Sequence, residues 1–470
     1  MSHQQELQQV LHAMKQAYIQ AGPASVALRR DRLQRSIALI RDNHEAINAA
    51  INADFGHRSA YQTLAADLLT TMNMLQHSAE NLEAWMQPEV AEVPVEGMQA
   101  WIESQPLGVV GIISPWNFPI NLAFGPLAGV FAAGNSAMLK PSELTPHTSQ
   151  LLAELVPRYF DATELTVVLG DAAVGQAFSA LPFDHLVFTG STAVGKHVMR
   201  AAAENLVPVT LELGGKSPVV LDSDADVALA AARTMTIKTF NAGQICISPD
   251  YLMLPAAAQA SFVQHAQAFM QQAFPTLQEN SDYTAIVSDR HYQRLVQLIE
   301  DARAKGARVV SLAPAGEPDF YALSRKIAPH LILDAHDDMG VMQEEIFGPL
   351  LPIKTYAGDV KEAINYINAH PRPLAAYYFG YDETRQQQMA NQTTSGALVI
   401  NDVMTHASLD SLPFGGVGAS GIGAYHGIHG FRRFSHAKPV VIQDAAGTTN
   451  LRLRAPYQDK LIAARALLQD

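Results

Sequence analysis

The chain has a single cysteine, Cys246, among its 470 residues. An intramolecular disulfide is excluded, and a reducing, cytoplasmic setting is expected. A surplus of basic charge is also missing, since the formal net charge is −13 and the isoelectric point lies near 5.7. That balance repels phosphate backbones and anionic lipid, so neither nucleic acid nor membrane is expected as a partner. There is no clean membrane-spanning run: residues 122–139 are long enough, but they contain Gly125, Pro126, Gly129, Gly134, Asn135 and Ser136. A buried helix followed by a turn is the better reading. Residues 1–9 are polar and lack the basic-then-apolar order of a secretory signal. Residues 451–470 are charged and amphipathic rather than an anchor. The 17 histidines form no H-E-x-x-H pattern, and His426 with His429 lacks a nearby acidic or cysteine partner, so no metal site is expected. Neither a P-loop nor a G-x-S-x-G nucleophile elbow occurs.

What is present is a globular composition, 48% hydrophobic and 16% charged, in a chain long enough for two or three domains. The first 80 or so residues read as helices, with apolar stripes at Leu33, Ile37, Leu39 and Ile40 and at Leu64, Leu68, Leu69, Met72 and Leu75. Short β-type runs around Glu96 and Gly97 then suggest a hairpin. From 109 to 204, strand-like segments (109–113, 137–140, 165–169, 185–189) alternate with helical ones (122–133, 148–155, 193–204). That order predicts an α/β fold with a parallel, doubly wound sheet. A second alternation, from about 210 to about 420, predicts a second α/β domain. Residues 436–443 read as a strand able to pair with the early hairpin.

Five short motifs stand out, each open to a plainer explanation. Cys246 follows Asn241-Ala242-Gly243-Gln244-Ile245; a glycine and a polar residue just upstream suit the bend that a reactive cysteine needs, with partners favouring the thiolate, although a lone cysteine is more often a small buried hydrophobe. Glu212, between Leu211 and Leu213 and followed by Gly214 and Gly215, is at risk of burial, which raises a carboxyl towards the range of a general base. Against that stands a solvated acid at a strand end. Asn117 lies between Pro115 and Pro119 at the end of a buried strand, where its amide could hold an oxyanion or merely serve a turn. Lys140 and Glu143, after the next strand, could grip the hydroxyls of a ribose or be solvated. Gly190-Ser191, with Gly195 in the following helix, offers free N–H groups to a pyrophosphate, as many such turns do without binding anything. The formal G-x-G-x-x-G at Gly416 follows no strand and reads as a loop.

Taken in order, Pro-Trp-Asn-Phe-Pro around Asn117, Lys-Pro-Ser-Glu from Lys140, Phe-Thr-Gly-Ser to Ser191, Leu-Glu-Leu-Gly-Gly-Lys around Glu212, Gly-Gln-Ile-Cys to Cys246 and Glu-Glu-Ile-Phe-Gly-Pro from Glu344 resemble the aldehyde dehydrogenase superfamily over roughly residues 100–440. The runs 246–251, 412–418, 423–427 and 434–439 resemble its class-three branch. The resemblance implies that Cys246 attacks an aldehyde and that Asn117 and the Cys246 N–H hold the oxyanion. Hydride transfer to NAD (NADP possible) then leaves a thioester, hydrolysed with Glu212 as base. Glu345 and Phe347 would position the nicotinamide end of the cofactor, Lys140 and Glu143 its adenosine ribose, and Gly190, Ser191 and Gly195 its pyrophosphate. It also implies three parts: a nucleotide-binding domain (1–83 and 107–210), a catalytic domain (211–420) and a small β oligomerisation element (84–106 and 421–446), followed by a tail (447–470) and forming a homodimer. Resemblance and the non-anchoring end together favour aromatic, coniferyl-type phenylpropenal aldehydes, with medium-chain alkanals next. A CoA-acylating enzyme is the lesser alternative, because it has no need of a water-activating base. His406 and Phe414 are expected near the substrate entrance or in plain loop packing.

Overall fold

The computed structural model describes residues 3–468 apart from Glu96 and Thr448. Four long helices, His3–Ala21, Val26–Asp42, His44–Phe55 and Thr70–Trp85, come first. The stripe at Leu33, Ile37, Leu39 and Ile40 is buried as its spacing requires. The second stripe is interrupted by a π-helical turn, Thr63–Leu69. Its wider winding shifts the helical register, so Leu69 turns out to solvent while Asp67 is fully buried.

The first sheet has six strands in the order Gly421–Ile422, Val209–Leu213, His185–Gly190, Val109–Ile113, Ser136–Lys140, Leu165–Val167. All are parallel except the two-residue edge strand. A division at 210/211 cuts through Val209–Leu213, and residues 421–422, expected in the small β element, pair with that same strand. The long run at 122–139 resolves into the buried helix Asn121–Ala132 and the buried strand Ser136–Lys140. Gly129 there lies against the backbone of Gly430 in helix Gly427–Arg433, where a side chain would force the two helices apart.

The second sheet has seven strands, in the order Arg308–Ser311, His330–Leu333, Leu350–Tyr356, Tyr251–Pro255, Pro218–Leu221, Ala375–Phe379, Ala397–Ile400. Only its first pair is antiparallel. The third sheet is small and antiparallel: Gln99–Pro106 is flanked by Glu89–Val90 and by Ser435–Ile442. The late strand therefore pairs with the early hairpin, as its pattern suggested; Glu96, at the turn, lies outside the described residues.

Candidate functional site

In the first sheet, Val109–Ile113 leads outwards to Ser136–Lys140, whereas its other neighbour, His185–Gly190, leads the opposite way to Val209–Leu213. Loops leaving two such strands diverge and open a crevice at their C-terminal ends. The crevice here has about 210 Å³ of space, and Asn117, Gly190, Ser191, Glu212, Cys246, Glu345 and Phe347 all border it. Residues separated by more than two hundred positions are thereby gathered at one place. Lys140, Glu143 and Gly195 do not border it.

Glu212 lies inside a strand, not at its end, and is 3% exposed. Neither of its oxygens has a hydrogen-bond partner among the described residues. Burial pushes its carboxyl well above the usual carboxylate range, and the Arg433 guanidinium only partly opposes this. Arg433 is held by Thr210 Oγ1 at 2.8 Å, two residues along the same strand.

Cys246 sits in a tight turn closed by the Ser248 N–H donating to the Ile245 carbonyl at 3.0 Å. Immediately before it, Asn241, Ala242 and Gly243 all adopt left-handed backbone, with φ of 49°, 51° and 72°. For non-glycine residues this costs about 1–3 kcal/mol each and persists only where the surroundings enforce it. The surroundings do so through Gln244, whose side-chain amide donates to the carbonyls of Asn241 (2.9 Å) and Ala285 (3.0 Å) and accepts from the Val287 N–H (3.0 Å). The bend and partial exposure expected of a nucleophile are therefore present. The expected partners favouring a thiolate are not. Burial first, then Glu345 and Glu212, push the thiol up to about 12, so it is protonated at neutral pH.

Asn117, between strand Val109–Ile113 and helix Asn121–Ala132, is buried, and its side-chain amide donates to the Gln244 carbonyl at 3.2 Å. One amide hydrogen is thus tied to the nucleophile loop, leaving the other free for a ligand. Glu345 and Phe347 lie between the short helix Gly340–Gln343 and strand Leu350–Tyr356. The double glycine after Glu212 finds its reason here: a Cβ on Gly214 would overlap the Glu345 carboxylate. Burial, with Asp250 adding, raises Glu345 to about 8. The Phe347 ring meets Trp116 edge-on at 5.4 Å, and Trp116 meets His291 at 5.3 Å.

Ser191 caps helix Thr192–Ala203, accepting from the Val194 N–H at 3.4 Å, and the free N–H groups of that helix start face the crevice end of the strand. The residues present suit a dinucleotide: a helix start with free N–H groups after Gly190-Ser191, and a charged pair after strand Ser136–Lys140. In that pair, Lys140 Nζ and Glu143 Oε2 are 2.8 Å apart. Burial would raise Glu143, but Lys140 outweighs this and holds it below the usual range. At Gly195 a Cβ would come within 2.6 Å of Leu213 Cδ2, so the helix start packs closely on the strand. His291 and Arg294, on helix Asp289–Ala304, border the crevice without having carried a motif. Arg294 donates to the carbonyls of Glu345 (3.3 Å) and Ile346 (2.5 Å). His406 and Phe414 lie outside the crevice lining: Phe414 stacks between His406 and His426 and stands edge-on to Tyr425.

Comparison with known proteins agrees with this geometry. The model of the Aldehyde dehydrogenase family matches residues 1–440. The chain is 57% identical to a coniferyl aldehyde dehydrogenase of a Pseudomonas sp., covering 97% of this chain and 95% of that one. It is 53% identical to a probable coniferyl aldehyde dehydrogenase of Caulobacter vibrioides, covering 97% and 95%. Among solved structures, a substrate-bound state of Staphylococcus aureus AldH superposes with a TM-score of 0.92 at 34% identity, covering 98% of this chain and 99% of that one. A mutant of P. syringae AldA indole-3-acetaldehyde dehydrogenase, in complex with NAD+ and IAA, superposes with a TM-score of 0.86 at 27% identity, covering 94% and 89%.

Proposed function

The chain belongs to the aldehyde dehydrogenase family and oxidises aldehydes with a nicotinamide cofactor, and on that premise we propose the residues that do it and the aldehydes they serve. The reading rests on one observation: a buried, unpartnered glutamate and the only cysteine border the same crevice, beside a bent amide donor. Cys246 is the nucleophile. Because its thiol is protonated in this setting, it needs a proton acceptor, and Glu212 is the unpartnered base beside it. Attack on the aldehyde carbon forms the S–C bond of a thiohemiacetal, its oxyanion held by the free Asn117 amide hydrogen and the Cys246 N–H. The cofactor, when bound, supplies the hydride acceptor that turns the thiohemiacetal into a thioester. Once Glu212 has passed the thiol's proton to solvent, its carboxylate takes a proton from water as the water attacks the thioester, and returns it to the leaving Cys246 sulfur, which releases the acid and restores the thiol. The base argues for water rather than coenzyme A as acyl acceptor.

Gly190 and Ser191 hold the pyrophosphate, Glu345 and Phe347 the nicotinamide end, and Lys140 with Glu143 the adenosine ribose. A 2′-phosphate would meet the Glu143 charge, so NAD is preferred over NADP. The substrates are aromatic, coniferyl-type phenylpropenal aldehydes. The named activities of the two relatives support this, as do the aromatic side chains of Trp116 and Phe347 that border the crevice. The first sheet forms the nucleotide-binding domain and the second the catalytic domain. The small sheet joins two copies into a homodimer, presenting exposed Val90, Val441 and Ile442 and the open edge of Ser435–Ile442. A cytoplasmic setting follows from the need to keep Cys246 a thiol.

The test is kcat/KM for coniferaldehyde, benzaldehyde, hexanal and acetaldehyde, each with NAD and with NADP. Coniferaldehyde with NAD should lead, and acetaldehyde should trail by well over tenfold, since each methylene buried contributes about 0.8 kcal/mol. Acetaldehyde or NADP in first place would overturn the corresponding assignment.

A further inference from the structure

None of residues 58–67, which run from the loop after helix His44–Phe55 into the π-helical turn, lines the crevice, yet they are bonded to both loops that build it. Arg58 Nη1 donates to the Asn117 main-chain carbonyl at 2.7 Å. Asp67 Oδ1 accepts from the N–H groups of Ile120 (3.1 Å) and Asn121 (2.6 Å). The turn carrying Asn117 is therefore clamped at both ends by one acid–base pair. Between them in sequence, Gln62 Oε1 accepts from the N–H of Asn241 at 2.9 Å, the first of the three left-handed residues before Cys246. The Asn241 side chain closes the circuit, donating to the carbonyls of Asn117 (3.2 Å) and Gln244 (3.1 Å).

Arg58 and Asp67 are not spent on each other. Both side chains are 0% exposed, but Arg58 Nη2 and Asp67 Oδ2 stand 3.8 Å apart, and neither atom has a hydrogen-bond partner among the described residues. A buried charge held short of its counter-ion is costly, and a purely structural pair would close that gap. Two aromatic faces pin the guanidinium instead, Phe55 at 5.0 Å and Phe118 at 4.9 Å. What the arrangement secures is the direction of the Asn117 carbonyl, and with it the side-chain amide of the same residue.

We propose that Arg58, braced by Asp67 and Gln62, is a positioning residue for the oxyanion site: it sets the Asn117 turn against the strained Cys246 loop so that the amide hydrogen and the Cys246 N–H converge on one point. This rests on the role given to Asn117 above. A misplacement of about 1 Å at such a site costs on the order of 100-fold in rate.

The experiment is a double-mutant cycle on the pre-steady-state burst of reduced cofactor, using Arg58→Met, Asn117→Ala and the two together. Arg58→Met should slow the burst by about 10- to 100-fold. The aldehyde KM, NAD binding and the alkylation rate of Cys246 by iodoacetamide should change little. In the Asn117→Ala background the same substitution should cost less than about threefold, and Arg58→Lys should recover part of the rate. A normal burst in Arg58→Met, or the same factor lost with and without Asn117, overturns the proposal. A normal burst in Asn117→Ala instead overturns the oxyanion role itself. Should Arg58→Met fail to fold, Arg58→Lys and Gln62→Ala enter the same cycle, where additivity with Asn117→Ala is again the overturning result.

Discussion

Two regions of the molecule draw a glutamate out of water, Glu164 in part and Glu212 almost wholly, and they handle it in opposite ways. At the far side of the first sheet, Glu164 meets Arg35 through two contacts, at 2.7 and 3.0 Å, and Arg32 at 3.1 Å. Burial would raise its carboxyl, but the two guanidinium groups bring it to about 2. In the crevice, Glu212 is buried more deeply and has no hydrogen-bond partner among the described residues. Its carboxyl rises instead. The first glutamate ties helix Val26–Asp42 to the sheet; the second is held ready to take a proton. Satisfying an acid drawn from water yields structure, and withholding its partners yields a base.

The largest effect should come from removing the unsatisfied acid. Glu212→Gln should lower steady-state turnover by about 100- to 10,000-fold while still permitting a first burst, leaving an acyl adduct on Cys246 visible by intact-protein mass spectrometry. The fold should be untouched, because no hydrogen bond is lost. In the parent enzyme the hydrolytic step should rise with pH, since only the carboxylate accepts a proton, and its midpoint should lie above the ordinary carboxylate range. Parent-like turnover in Glu212→Gln would erase the contrast between the two glutamates.

Removing the satisfied acid should do the reverse. Glu164→Gln should cost about 2–3 kcal/mol of stability, read by urea denaturation, with kcat near that of the parent. The pH dependence follows from the depressed carboxyl: its contribution is complete above 4.5, the unfolded value, and is lost as pH falls through that value towards about 2. A melting temperature insensitive to Glu164→Gln across that window would show that the arginine contacts add nothing.

The smallest effect concerns how the crevice acids act on the thiol. Glu345 is the leading charge raising Cys246, after burial itself. In Glu345→Gln the pH midpoint for alkylation of Cys246 should therefore move down, though not to neutrality, because burial remains. An unmoved midpoint would mean that the two groups are screened from each other.

Much of this architecture is legible in the sequence because it rests on local patterns. The alternation of short apolar runs with helical stripes sets two parallel sheets, and the strand-end positions of Asn117 and Gly190-Ser191 place them at a crevice before any coordinate is known. Gly214 was legible as a close approach, though not what approached. Other features depend on residues far apart in the chain. Whether Glu212 is solvated or bare is decided by the strand Gly421–Ile422 and by Arg433, both two hundred positions away. The π-helical turn that buries Asp67 carries no signature, since its register shift appears only once both flanking helices are packed.

By itself, then, the sequence determined the kinds of chemistry available: one thiol, an acid among leucines and glycines, an amide in a proline-bracketed turn, and a chain too acidic for phosphate polymers. Propensity, periodicity and charge are properties of neighbours in the chain, so they can be read there. Tertiary structure alone decided the state of those groups. Burial, with Glu345 and Glu212 adding, raises the thiol, and the turn carrying the amide is tied by the Arg58 guanidinium donating to the Asn117 carbonyl. Burial and electrostatic coupling depend on distance in space, which spacing along the chain does not encode.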